Sequence, residues 1–333
     1  MFRFGLKMAI VGLLLSPSLA QAQKANATPS VSSTNITVVG KGTRPKWSSD
    51  GSHIVYLSSG KLISYSVGDS SSVEICDYSL PHFYWADSVT IVVIRKVEGP
   101  NSHITKTFAV ESYSPQGSLI STQEFPATPG TRGDIQGRRS STGRLRIQDS
   151  RQIGENTFLS LKSSLTARAS VSDTEVFVVS TRYFHFAERW NIPFGSDIWT
   201  VNSNGDPIHL IAKAPPTNDF MSPVLSPNGK LVLFSDGVGT RLYSIKGDSI
   251  GYVANATYST WIPNSTSFVF TAISDDGYDL TSSDIFVSDS SGMQVKQITV
   301  SPNKIELYAT QSVGNHIAYS DYNSGAVEIL KVH

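Results

Sequence analysis

WSSDGSHIVYLSS, at residues 47–59, is one of several segments built alike: a large apolar residue, a polar turn of Ser with Asp or Asn and Gly, then alternating apolar residues ending in Ser or Thr. LSPNGKLVLFS (225–235) and WIPNSTSFVFT (261–271) repeat it closely, and YWADSVTIVVI (84–94), ASVSDTEVFVVS (169–180) and SVGNHIAYS (312–320) repeat it more loosely. Asp-Gly or Asn-Gly between short apolar runs supplies the left-handed backbone that a tight hairpin requires. Each segment therefore reads as two antiparallel strands.

A second half follows in the best copies. SDIWTVNSNGDPIHLI (196–211) and SDIFVSDSSGMQVKQIT (283–299) match one another: Asp-Ile-aromatic, a turn, then an apolar strand. Two hairpins per unit, recurring at intervals of about 35 to 55 residues, describe four-stranded blades in a repeat architecture.

These residues resemble the P-x-W-S-P-D-G-K and D-I-Y-x-x-D-x-x-G repeats of the TolB-like (WD40-like) β-propellers, over most of residues 35–333. The resemblance implies an all-β propeller of four-stranded antiparallel blades. TolB itself carries a further α/β domain ahead of its propeller, for which this chain has no room, so its Tol–Pal partnership is not carried over. Units begin near residues 47, 84, 140, 169, 225, 261 and 312, giving seven blades, with six as the alternative. The match is poorest at 127–165, where 143–147 and 157–161 are the strand candidates. At the ends, Asn35-Ile-Thr-Val-Val supplies an outer strand, and the last unit, AVEILKV at 326–332, stops before its own. The two ends are expected to share the closing blade, which leaves no open sheet edge.

Composition narrows the function classes. The chain has 27 basic and 27 acidic residues, a formal net charge of zero, so no overall field recruits nucleic acid or an anionic membrane. Arg3 and Lys7 precede the apolar run at 8–15, and small residues follow, a pattern that reads as a signal peptide (1–22) cleaved after Ala20 or Ala22. Residues 23–34 read as a linker and 35–333 as the propeller, placed in the periplasm or outside the cell with no membrane span after cleavage. Cys76 is the sole cysteine, so no internal disulfide is possible, and a buried, inert thiol in a strand is expected.

The loop RYFHFAERWNIPFG at 182–195 joins the second and third strands of its unit, and insertions at 95–105 and 272–283 occupy the same slot. All three fall on one face. Long loops on a rigid scaffold carry recognition, and Tyr, Trp and Arg make its strongest contacts. Tyr183, His185, Glu188, Arg189 and Trp190 are the expected binding residues, for a protein or peptide partner and a monomeric propeller. Packing of Phe184, Phe186 and Trp190 under the loop is the competing reading. Asp275, Asp276 and Asp279, around a Gly turn, form the one calcium candidate, although their spacing falls short of an EF-hand loop. No other cofactor is expected. Gly247-Asp-Ser-Ile-Gly251 matches G-x-S-x-G, but strands on both sides replace the strand–turn–helix that a nucleophile elbow requires. The expectation is a non-catalytic binding or scaffolding module; the alternative is a lyase or glycan-active hydrolase with carboxylates in the central funnel.

Overall fold

The computed structural model describes residues 36–77, 83–98, 105–126, 135–139, 145–149, 168–171, 174–180, 197–202, 207–215, 220–263, 265–276, 279–302 and 304–332. Strand β1 (Ile36–Lys41) comes first. Sheet 1 follows with β2 (Thr43–Trp47), β3 (His53–Ser58), β4 (Lys61–Ser66) and β5 (Ser71–Asp77), and sheet 2 with β6 (Phe83–Trp85), β7 (Ile91–Glu98), β8 (Thr105–Tyr113) and β9 (Leu119–Pro126). A two-stranded pair, β10 (Ile135–Arg139) and β11 (Leu145–Asp149), precedes sheet 3, which is β12 (Arg168–Val171), β13 (Thr174–Ser180), β14 (Ile198–Asn202) and β15 (Pro207–Ala212). Sheet 4 is β16 (Met221–Leu225), β17 (Leu231–Ser235), β18 (Gly239–Ser244) and β19 (Ser249–Ala254). Sheet 5 is β20 (Ala256–Trp261), β21 (Ser267–Asp275), β22 (Leu280–Asp289) and β23 (Val295–Gln297). The closing sheet is β24 (Glu306–Gln311), β25 (His316–Asp321) and β26 (Ala326–Lys331), completed by β1.

All strand pairs within these sheets are antiparallel, and β1 pairs with β26 from Ile36 opposite Leu330 to Lys41 opposite Ala326. The two ends of the propeller segment thus share one sheet, as the sequence suggests. The first strands approach one another, β2 against β6 and β24, and β20 against β16 and β24. They line an axis, and the fourth strands lie outermost. In the poorly matched stretch, β11 covers part of the candidate at 143–147, and 157–161 lies outside the described residues.

The turns between first and second strands form for local reasons. The Ser48 hydroxyl accepts the His53 N–H at 3.0 Å, and Asp50 Oδ1 accepts the Ser52 N–H at 3.0 Å, with Gly51 left-handed at φ 74°. Ser226 and Asn228 reproduce this, accepting the N–H groups of Leu231 at 2.9 Å and Lys230 at 3.0 Å, with Gly229 at φ 71°. A small hydroxyl and an Asx side chain satisfy backbone donors that the turn would otherwise leave unpaired.

The second strands differ from the alternation expected of a half-exposed strand. Ile54, Val55 and Tyr56 are all buried, and so are Val232 to Phe234, Phe268 to Phe270 and Ile317 to Tyr319. The period of two survives as a division between two interfaces. Ile54 and Tyr56 join the cluster facing the closing sheet, and Val55 joins the one facing sheet 2. Phe268 and Phe270 pack toward sheet 4, and Val269 toward the closing sheet. A sheet packed on both faces needs apolar residues at consecutive positions. The apolar clusters join sheets 3, 4, 5, closing, 1 and 2 in that order. Cys76, on the outermost strand of sheet 1, is half-buried against one cluster rather than fully buried.

Tryptophan at the end of the first strand locks neighbouring sheets together. Trp47, Trp85 and Trp261 donate their indole N–H groups to the carbonyls of Thr310 (3.1 Å), Lys46 (3.1 Å) and Val224 (3.0 Å). Each acceptor is the next-to-last residue of the preceding sheet's first strand. One side chain thereby supplies a large apolar surface and satisfies a carbonyl across the interface.

Candidate functional site at the axial mouth

The opposite ends of the first strands carry a repeated irregularity. β2, β16, β20 and β24 each have a register shift near their start, and in each shift sits a non-glycine residue with positive φ: Arg44 (56°), Ser222 (50°), Tyr258 (52°) and Tyr308 (58°). A bulge inserts one residue and re-aims its side chain. Holding Arg or Tyr in this backbone region costs about 1–3 kcal/mol each. Surrounding contacts sustain the strain: the Arg44 N–H donates to Ser320 Oγ at 3.2 Å, and the Thr257 hydroxyl donates to the Thr271 carbonyl at 2.8 Å.

Three of these side chains form a row across sheets 5, closing and 1. The Tyr258 and Tyr308 ring centroids lie 4.4 Å apart, and the Arg44 guanidinium carbon lies 5.4 Å from the centre of the Tyr308 ring. Arg44 and Tyr258 are solvent-exposed. Partial burial and then the adjacent Tyr308 phenol raise the Tyr258 pKa, while Arg44 opposes the rise, so the Tyr258 phenol stays neutral near neutral pH. Among the described residues, Arg44 has no carboxylate within ion-pair distance.

Lys46, two residues along β2, is directed elsewhere. Its Nζ donates to the Phe83 carbonyl at 2.7 Å and lies 4.6 Å from the centre of the Phe83 ring. Burial, reinforced by Arg44, pushes its pKa down to about 8.

Beneath the row, carboxylates secure the connection from β23 into β24. Glu306, 1% exposed, accepts hydrogen bonds from the Thr299 hydroxyl and, at 3.0 Å, from the Ser301 hydroxyl. Burial, with a smaller contribution from Asp284, pushes the Glu306 pKa up to about 7. Asp284 accepts the Ser301 N–H at 2.9 Å and the Gln297 amide at 3.0 Å. Glu328 accepts from Tyr319 at 2.6 Å and Lys304 at 2.7 Å. These groups anchor a loop.

The mouth opens on the face that carries the fourth-to-first connections and the second-to-third turns, to which the sequence assigns its three long insertions. Tyr183, His185, Glu188, Arg189 and Trp190 lie outside the described residues. Asp275, Asp276 and Asp279 are exposed at the β21–β22 turn, where Asp276 Oδ1 accepts the Asp279 N–H at 2.9 Å. Among the described residues, no three His, Cys, Asp or Glu side chains are grouped to hold a metal ion. The G-x-S-x-G match spans the β18–β19 turn and the start of β19, strand–turn–strand, with Ser249 the first residue of that outer strand.

Sequence reasoning did not single out Arg44, Tyr258 or Tyr308. The signal was within reach: extending the aligned copies three residues upstream of Trp47, Leu225, Trp261 and Gln311 places Arg44, Ser222, Tyr258 and Tyr308 in one column.

The chain is a β-propeller by its four-stranded sheets and the apolar clusters that join them in succession. No family model matches the sequence, and no curated protein matches it. A chain of the mitotic checkpoint complex crystal structure is 14% identical, with 93% of this chain and 98% of that one covered at a TM-score of 0.50. The β-propeller domain of the Trilobed protease from Pyrococcus furiosus is 12% identical, with 88% and 80% covered at 0.44. Oligogalacturonate lyase from Vibrio parahaemolyticus is 10% identical, with 88% and 79% covered at 0.42. The chain spans 64% of a eukaryotic initiation factor structure and 42% of Pyrococcus horikoshii acylaminoacyl peptidase. At such identities the likeness speaks to the fold alone, and a propeller hosts enzymes and binding modules alike.

Proposed function

We propose that this propeller is an exported, TolB-like, non-catalytic module that binds a protein or peptide on the face of its axial mouth. The observation carrying this reading is the row Arg44, Tyr308 and Tyr258, presented on strained bulges from three successive sheets. Tyr and Arg contribute most to binding when a partner covers them, and the bulges hold them in place beforehand. The insertion bearing Tyr183, His185, Glu188, Arg189 and Trp190 joins β13 to β14, a connection of the kind assigned to this face, and is proposed to take part in the same binding, with the segment 1–22 as the export signal. A catalytic alternative needs a carboxylate that substrate can reach. Glu306, the acidic residue on the inner strand β24, is buried and committed to Thr299 and Ser301.

Site-specific photo-crosslinking tests the reading. A benzoylphenylalanine placed at Tyr258 or Tyr308 should yield a discrete adduct in the native envelope. The same probe at Met293, exposed in the β22–β23 turn on the opposite face, should yield none. Equal adducts from both faces, or none from the mouth, would defeat the assignment.

A further inference from the structure

We infer that the axial mouth recognises a single carboxylate at the end of a peptide, gripped by Arg44 and flanked by the hydroxyls of Tyr258 and Tyr308. The inference rests on the binding role proposed above and names the chemistry of the ligand. A guanidinium offers a planar fork of donors matched to a carboxylate. That of Arg44 is exposed, rests over the Tyr308 ring, and meets no carboxylate among the described residues. The backbone that carries it is held by the bond from the Arg44 N–H to Ser320 Oγ, and its bulge recurs in three other sheets. The Tyr308 and Tyr258 rings, 4.4 Å apart, adjoin it and bring hydroxyl groups and apolar ring surface together, suited to an oxyanion with an apolar residue beside it.

Charge selects the kind of anion. Among the described residues, the row carries one positive charge, that of the Arg44 guanidinium, and the Lys46 ammonium is turned to the Phe83 carbonyl. A monoanionic carboxylate is balanced by this set. A phosphate dianion would be left with an uncompensated charge.

Calorimetric titration with acetyl-alanyl-phenylalanine, its C-terminal amide and phenyl phosphate tests the inference. The free acid should bind at least about ten-fold more tightly than the amide, and more tightly than phenyl phosphate. Arg44→Gln should erase the preference for acid over amide, Arg44→Lys should retain part of it, and Tyr308→Phe should weaken acid binding while keeping the ring. Thermal melting of each variant verifies folding, and Arg44→Lys carries the comparison if Arg44→Gln does not fold. Equal binding of acid and amide overturns the inference. So does an unchanged preference in folded Arg44 variants, tighter binding of phenyl phosphate, or no acid binding up to roughly 10 mM. If crosslinking from Tyr258 succeeds and is indifferent to Arg44→Gln, the binding role stands and the carboxylate site falls. If the free acid binds as described but mouth probes capture no partner, the site stands and the proposed protein-binding role falls.

Discussion

Both ends of the first strands carry a repeated feature, and the two are treated in opposite ways. At one end the side chain is repeated: Trp47, Trp85 and Trp261 make the same hydrogen bond to the preceding sheet. At the other end the backbone is repeated and the side chain is not: the bulged position holds Arg44, Ser222, Tyr258 and Tyr308. A position whose chemistry recurs, here in three sheets, is solving the same packing problem in each of them. A position whose strained conformation recurs with changing chemistry serves to display side chains. Arg44 lies only three positions before Trp47, and Tyr258 three before Trp261.

The largest test of the structural side concerns closure. Deleting residues 23–41 removes β1, uncovers the edge of β26 and takes the buried Val39 from its cluster. A loss of about 5 kcal/mol or more, or aggregation, is expected by denaturant unfolding and light scattering. A truncated chain that unfolds like the intact one would show that β1 is not needed to close the sheet.

Next is the tryptophan end. Trp261 is buried, packs against Phe268 at 5.8 Å between ring centroids, and satisfies the Val224 carbonyl. Trp261→Ala should cost about 3–5 kcal/mol. Trp261→Phe, which keeps most of the apolar volume but orphans the carbonyl, should cost about 1–3 kcal/mol. If Trp261→Phe is as stable as the wild type, the cross-sheet hydrogen bond contributes nothing; if it is no more stable than Trp261→Ala, the buried ring contributes nothing.

Glu306 lies between the two regimes, at the mouth end yet buried. Its folded-state pKa, raised to about 7 from the ordinary 4.5, means that the native protein holds the proton more tightly than the unfolded chain. Its contribution is therefore fully present below about pH 4.5 and lost as pH rises through about 7, by an amount of at most roughly 3 kcal/mol. Glu306→Gln should flatten that part of the stability profile, leaving the variant more stable than wild type at pH 8. A wild-type profile that rises between these pH values and is unchanged by the substitution would contradict the assignment.

The smallest expected effect falls on the display end. Tyr258→Asn places a residue that tolerates left-handed backbone at an exposed position, so stability should stay within about 0.5 kcal/mol of wild type while crosslinking and acid binding fall. A loss as large as that of Trp261→Ala would mean that Tyr258 is part of the packing, and the contrast between the two ends would collapse.

Hairpin turns, the two-hairpin unit and the shared closing sheet were legible in the sequence because each is set by local chemistry. Ser48 with Asp50, and Ser226 with Asn228, satisfy their own neighbours' N–H groups, and the strand at residues 36–41 has a visible vacancy to fill at the other end of the chain. The tertiary structure decided what local pattern cannot encode. Whether Val55 faces the same neighbour as Ile54 depends on sheets packing from both sides. Arg44, Tyr258 and Tyr308 are more than 200 residues apart in part, and they meet only because their strands converge on one axis. Residue type and spacing set the strands and turns, since those interactions close within a few residues; the mouth is made by convergence of distant strands, which no single stretch of sequence contains.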